Sequence, residues 1–240
     1  EVTQWARRSL EAGSGSLHAP ILLALGIMMT EGVAAGEAEM SRLLDASSGL
    51  VRAGALLARG IARTYANDLD GALADLEEAG AQLEVAGSMI GLVNARGYIA
   101  ECHYRAGRWG PALTIAEAIG SIADDADQPW LAVMPEATAA FVLAARGELE
   151  RATGHAEQAR RAAEISGLMP AHLWVQHARL RIAAAAGDAD RVVAIGDEMR
   201  AGAAGRFPEW VHRWRATYVR GLVMAERFGD AEEVVAELEA

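Results

Sequence analysis

Few side chains in this sequence are placed to do chemistry. Cys102 and His103 are adjacent, and a thiol beside an imidazole supplies the residue types of a nucleophile and its base. Neighbours on a helix point about 100° apart, so the two cannot pair directly. A buried structural thiol is the expected reading of Cys102. The six histidines are His18, His103, His155, His172, His177 and His212. His172 and His177 are five apart, which does not set both on one helical face, and no His-Glu-x-x-His pattern occurs. One cysteine cannot build a zinc cluster. Asp124, Asp125 and Asp127 lack the full calcium-loop pattern and, with Gln128 and Pro129, read as a helix-entry loop. All 22 basic residues are arginine, which excludes a phosphate-loop lysine, a Schiff base and a lysine general base. Glu101 and Glu136 do not form a matched carboxylate pair. Neither enzymatic activity, a helical-toroid hydrolase included, nor a cofactor nor a metal is expected.

The composition narrows the partners as well. Against the 22 arginines stand 33 acids, for a net charge of -11. That balance argues against gripping nucleic acid or an anionic membrane directly. The longest apolar run, Ala19 to Met29, is interrupted by Pro20 and Gly26 and falls short of the roughly 20 residues that span a bilayer. No signal peptide is visible, and the single cysteine fits a reducing cytoplasm. Alanine-rich, lysine-free usage suggests a bacterial source. Helical patterns at both ends suggest a single domain, 1–240, cut from a longer protein.

The elements that must position any site are helices. Alanine, leucine, glutamate and arginine dominate, and apolar residues recur at helical spacing nearly throughout. The spacing predicts helices at 2–12, 19–31, 36–46, 50–66, 69–86, 89–106, 110–123, 129–145, 149–166, 171–186, 189–201, 209–227 and 231–240. Pro135 should kink the eighth helix, or mark its true start with Pro129 left in the loop. Asn67, Gly107, Gly147 and Gly187 are spaced by 40 residues. Each is followed by a charged residue, an apolar residue, two variable residues and then a small apolar residue: Ala72, Ala112, Ala152 or Val192. Gly229 reads as the next copy, and Gly32 to Ser41 as an earlier one. Glycine or asparagine ends a first helix in the left-handed conformation, an acid suits the start of the second, and the small residue lets the two approach.

The pattern resembles the tetratricopeptide repeat. Gly60, Ala100 and Ala140 occupy its small position on the first helix. Leu69, Trp109 and Leu149 stand near its turn, and Ala72, Ala112 and Ala152 early on its second helix. The fit is good over about residues 50–200. The usual unit has 34 residues; a 40-residue unit is similar to the sensor region of large ATP-binding LuxR-type (MalT-like) bacterial transcription regulators. The resemblance implies an all-α, right-handed superhelical solenoid of antiparallel hairpins. It also implies that ATPase and DNA-binding modules, absent from these residues, belong to a parent protein.

In such solenoids the first helices line a concave groove. Carrying the groove positions over gives one row of Ile61, Glu101, Phe141 and Arg181 and a second of Gly54, Asn94, Met134 and Trp174. A third holds Gly97, Ala137 and His177, with Tyr65, Tyr104 and Arg105 a turn further on. Taken singly, Phe141, Met134 and Trp174 each read as inter-helix core rather than as groove. Arg206, Arg213, Arg215 and Arg220, with Trp210 and Trp214, read as a packed helix with a solvated arginine face. The resemblance thus implies a signal-sensing and protein-interaction module. It would bind a small-molecule effector or a protein partner, with self-association through its end repeats. The alternative is a free-standing scaffold for partner peptides.

Overall fold

The computed structural model describes residues 2–125, 128–167, 169–202 and 213–239. Among them there are thirteen α-helices and no strand. The helices are α1 (Val2–Glu11), α2 (His18–Glu31), α3 (Val33–Ala46), α4 (Gly49–Ala66), α5 (Leu69–Val85), α6 (Met89–Arg105) and α7 (Trp109–Asp125). A 3-10 turn, Pro129–Ala132, leads into α8 (Val133–Ala145), followed by α9 (Leu149–Ser166), α10 (Met169–Ala185), α11 (Ala189–Ala201), α12 (Arg215–Met224) and α13 (Phe228–Glu239). The chain is an all-α array of antiparallel helix hairpins. It divides into two compact units, Glu1–Ile115 and Ala116–Ala240. In the first, α4 packs on α2, α3, α5 and α6. In the second, α10 packs on α8, α9, α11 and α12.

One turn closes the hairpins. At Asn67 the backbone is left-handed (φ 67°), the Asp68 amide donates to the Arg63 carbonyl (2.9 Å), and the Asn67 amide to that of Thr64 (3.2 Å). The same two bonds recur at Gly107, Gly147 and Gly187. They satisfy carbonyls that a helix end leaves without intrahelical partners. The residue after the turn starts the next helix. The Asp68 and Asp188 carboxylates accept from the amides of Gly71 (3.1 Å) and Arg191 (3.0 Å), capping α5 and α11.

Five residues after each turn a small side chain is sealed inside. Ala72, Ala112 and Ala152 are 0% exposed and Val192 is 2%. On the first helix, a Cβ at Gly60 would stand 2.6 Å from Leu76 Cγ of α5, so any larger residue here would force Leu76 to move. Charge also ties the hairpins together. Buried Asp75 on α5 accepts from Arg59 Nε (2.8 Å) and Nη2 (2.7 Å) and from Arg63 Nη1 (2.9 Å), both on α4. Arg63 Nε reaches Glu37 on α3 (2.9 Å).

The helices agree with the sequence expectation to within a few residues, except near the C-terminus. Of the expected helix 209–227, residues 209–212 lie outside the described residues; among the described ones α12 starts at Arg215, since Arg213 has φ 45°. The last turn is at Glu226 (φ 59°), not Gly229, which lies inside α13. Its two hydrogen bonds, Arg227 to Leu222 (2.8 Å) and Glu226 to Val223 (3.1 Å), match the other turns. Counted from Glu226, Ala231 is the small residue, 5% exposed. Pro135 falls in the first turn of α8, after the 3-10 turn that Pro129 opens, where a missing N–H disturbs no intrahelical bond.

A glutamate in this conformation carries a steric cost of about 1–2 kcal/mol that glycine lacks. Glu226→Gly is therefore expected to raise the unfolding free energy by about 1 kcal/mol, while Gly107→Ala lowers it by a similar amount. Urea denaturation of the two variants checks the opposite signs.

Candidate functional site

Seven of the residues singled out on the first helices, Tyr65, Glu101, Arg105, Phe141, Trp174, His177 and Arg181, fall into two clusters, one in each unit. In the first unit, Asn94, Tyr98, Glu101 and Arg105 follow one another along a single face of α6, at steps of four, three and four residues. Tyr65, at the end of α4, meets this face. Its ring stands edge-on to Tyr98 at 6.2 Å, and the two hydroxyls are 3.2 Å apart. Arg105 Nη2 pairs with Glu101 Oε1 at 2.7 Å, and Nη1 donates to the Thr64 carbonyl at 2.6 Å, so Arg105 caps the C-terminal end of α4. Tyr65 and Glu101 are buried; Asn94, Tyr104 and Arg105 are half-buried.

Burial, helped by the neighbouring Tyr98 and the Glu101 carboxylate, holds the Tyr65 phenol well above its usual pKa. Burial pushes Tyr98 up to about 12, against the opposing hydrogen bond from Tyr65. Beneath them the Cys102 thiol touches Thr64 Oγ1 at 3.2 Å. Burial raises it to about 11, so at neutral pH it is a thiol and not a nucleophilic thiolate. His103 instead accepts from Arg108 Nε through Nδ1 at 3.0 Å. Burial first, then the Arg108 charge, lowers its pKa.

In the second unit, Phe141 on α8 stacks on Trp174 of α10 (6.0 Å, 27°) and lies 4.8 Å from the His177 ring. Arg181 Nε donates to His177 Nε2 at 3.2 Å, which sets the neutral ring's proton on Nδ1. Phe141, Trp174 and His177 are buried, and Met134 and Arg181 half-buried. The structure thus brings together Tyr65, Glu101 and Arg105 in one cluster and Phe141, Trp174, His177 and Arg181 in the other.

Sequence reasoning passed over Tyr98, which lies one helical turn from two of the selected positions; the i, i+4, i+7 spacing from Asn94 was the available signal. It also passed over the partner of His155, Glu136, at 2.7 Å. Glu101 and Glu136 are each tied to a basic side chain of their own unit. Among the described residues no group of three or more histidine, cysteine or acidic side chains is arranged to hold a metal. No helix among them is long and apolar enough to cross a membrane. In the acidic stretch, Asp127 and the side chains of Asp124 and Asp125 lie outside the described residues, as do Arg206, Trp210 and His212. Arg215 departs from the expected solvated arginine face: it is 8% exposed and lies 4.8 Å over the Trp214 ring.

No protein-family model and no curated protein matches the sequence. Fifteen chains of known structure resemble the fold. One is a crystal structure of the nearly identical TPR-like repeats of a kinesin-light-chain-like protein from Podospora anserina. It is 15% identical with a TM-score of 0.50, and the match covers 84% of this chain and 94% of that one. The architecture is therefore a TPR-like helical repeat array.

The phenols give the first cluster a spectroscopic signature. An unfolded tyrosine ionises near pH 10, whereas Tyr98 and, for reasons of burial and the Asp197 carboxylate, Tyr218 do so at about 12, and burial likewise holds Tyr65 well above 10. Above pH 10 the unfolded chain therefore binds fewer protons than the folded one, and stability falls as pH rises from about 10 through about 12. Alkaline titration at 295 nm is expected to show most phenolate absorbance appearing together with the loss of helical circular dichroism, and not near pH 10 in the folded protein.

Proposed function

We propose that the chain is a recognition module: the signal-sensing and protein-interaction segment of a bacterial, cytoplasmic LuxR-type transcription regulator. The observation that carries this reading is where the polar and aromatic side chains cluster. An alanine-rich hairpin array needs little beyond alanine and leucine to pack. Yet two neighbouring first helices in each unit gather tyrosine, tryptophan, histidine, arginine and glutamate into hydrogen-bonded groups. Few, directed polar groups among aromatic rings are the composition of a recognition surface. The 40-residue step, kept from Asn67 through Gly187, supports the regulator context over the 34-residue scaffold unit. In this reading DNA binding and ATP hydrolysis are left to other modules of the parent protein.

A free-standing scaffold for partner peptides is the second reading, favoured by the likeness to kinesin-light-chain-like repeats. A thermal-shift screen against sugars, nucleotides, amino acids, amines and short peptides separates the two. A ligand at 100 times its dissociation constant adds about 2.7 kcal/mol, or roughly 4–10 °C for a domain of this size. A reproducible shift from one small-molecule class is the expected result. A sharp transition that no small molecule moves would favour the scaffold.

A further inference from the structure

Two carboxylates are buried between hairpin helices of the first unit, and their surroundings differ in one respect. Asp75, 4% exposed, is fully satisfied: Oδ1 accepts from Arg59, and Oδ2 from Arg59 and Arg63. Two cations answer one acid. Glu101, 5% exposed, has one cation. Its Oε1 is paired with Arg105, while its Oε2 lies out of solvent with no hydrogen-bond partner among the described residues. A buried carboxylate oxygen left in that state costs more than a hydrogen bond ordinarily contributes. What it requires is an N–H or O–H donor, and in the neighbouring network that donor is a second cation.

The rest of the cluster narrows the chemistry. Two phenol rings, Tyr65 and Tyr98, stand edge-to-face beside the carboxylate, and aromatic faces attract organic cations. The hydroxyls of those rings bond each other. Both Arg105 Nη atoms are committed, one to Glu101 and one to the Thr64 carbonyl, which leaves this arginine poorly placed to clamp an anion. The net charge of -11 favours a cation over an anion at the surface as well.

We propose that Tyr65, Tyr98, Glu101 and Arg105 form a binding site for an organic cation bearing N–H donors, a primary ammonium or a guanidinium, with Glu101 Oε2 as its acceptor. The site names the ligand class for the recognition module inferred above and rests on that reading. The ammonium or guanidinium completes the carboxylate as Arg59 and Arg63 complete Asp75. The alkyl or planar body lies against the phenols, and Arg105 holds the carboxylate in place by its bond to the α4 terminus. Small amines and the lysine or arginine side chains of a peptide carry the same group.

Calorimetric titration of the whole chain tests this with agmatine, butylamine, an arginine-containing tripeptide, butyltrimethylammonium and butyrate. Agmatine and butylamine are expected to bind. Butyltrimethylammonium, a cation without N–H, and butyrate are expected not to. Binding by the tripeptide alone would assign the site to a peptide side chain, and binding by the small amines to a free metabolite. Glu101→Gln is expected to weaken binding by about ten-fold or more, since a charge-assisted bond is replaced by a neutral one. Exposed Glu164→Gln is expected to leave it unchanged. Should Glu101→Gln fail to fold, hydrogen exchange of the wild-type chain decides: agmatine is expected to protect residues 61–66 and 95–105. Silence of every amine and guanidinium probe, equal binding by Glu101→Gln, or protection elsewhere only would overturn the proposal. If sugars, nucleotides or anions bind while amines do not, the recognition module stands and this site assignment falls.

Discussion

The structure depends on a coupling between a left-handed backbone and a small side chain five residues later. The turn at Asn67, Gly107, Gly147, Gly187 and Glu226 reverses the chain and satisfies the end of one helix with two backbone bonds. It fixes the residue at which the next helix begins. The fifth residue after the turn, the fourth of that helix, then faces back toward its predecessor. Alanine or valine there lets the hairpin close; a longer side chain would hold the two helices apart. Every later feature inherits this register. Because the first helix of each hairpin arrives at the same point, side chains such as Tyr65 and Tyr98 or Phe141 and Trp174 meet across neighbouring first helices.

Alanine-rich packing leaves little apolar area per residue, and long-range charge pairing supplements it. That pairing relies on arginine, the one strongly basic side chain in the sequence. Its planar fork can hold two acceptors at once. Arg63 spans Glu37 on α3 and Asp75 on α5. Arg105 joins Glu101 to the end of α4. Arg200 reaches both Glu233 and Glu237 of α13. The exposed pairs contribute little. Asp75 and Glu101 are different, since both are buried charges, and removing Arg105 would leave Glu101 without a cation. Where one of them keeps an oxygen unsatisfied, a ligand's cation can do what a second arginine does for the other.

Much of this was legible in the sequence, because the turn residue and the small residue are both visible as letters at a fixed step. The helix boundaries followed from them. The last repeat was misread for a physical reason: glycine is the usual mark of a left-handed residue, and there the position is held by Glu226, three residues before a glycine that is merely helical. The two clusters were legible as rows but not as contacts. Tyr98 is one turn from Glu101 and belongs to no carried-over position, so its bond with Tyr65 depended on how two helices sit side by side. The same is true of Asp75 on α5, whose partners Arg59 and Arg63 both lie on α4.

The register claim is most directly tested by comparing two substitutions two residues apart on α9. Ala152 is fully buried, whereas a Cβ at Gly154 would meet nothing within 4 Å. Chemical denaturation should show Ala152→Leu losing about 1–3 kcal/mol by overpacking, and Gly154→Ala gaining about 0.5–1 kcal/mol from its better helix propensity. Tolerance of leucine at 152, or a loss at 154 as large as at 152, would contradict the account that position five after the turn sets the spacing of the hairpin.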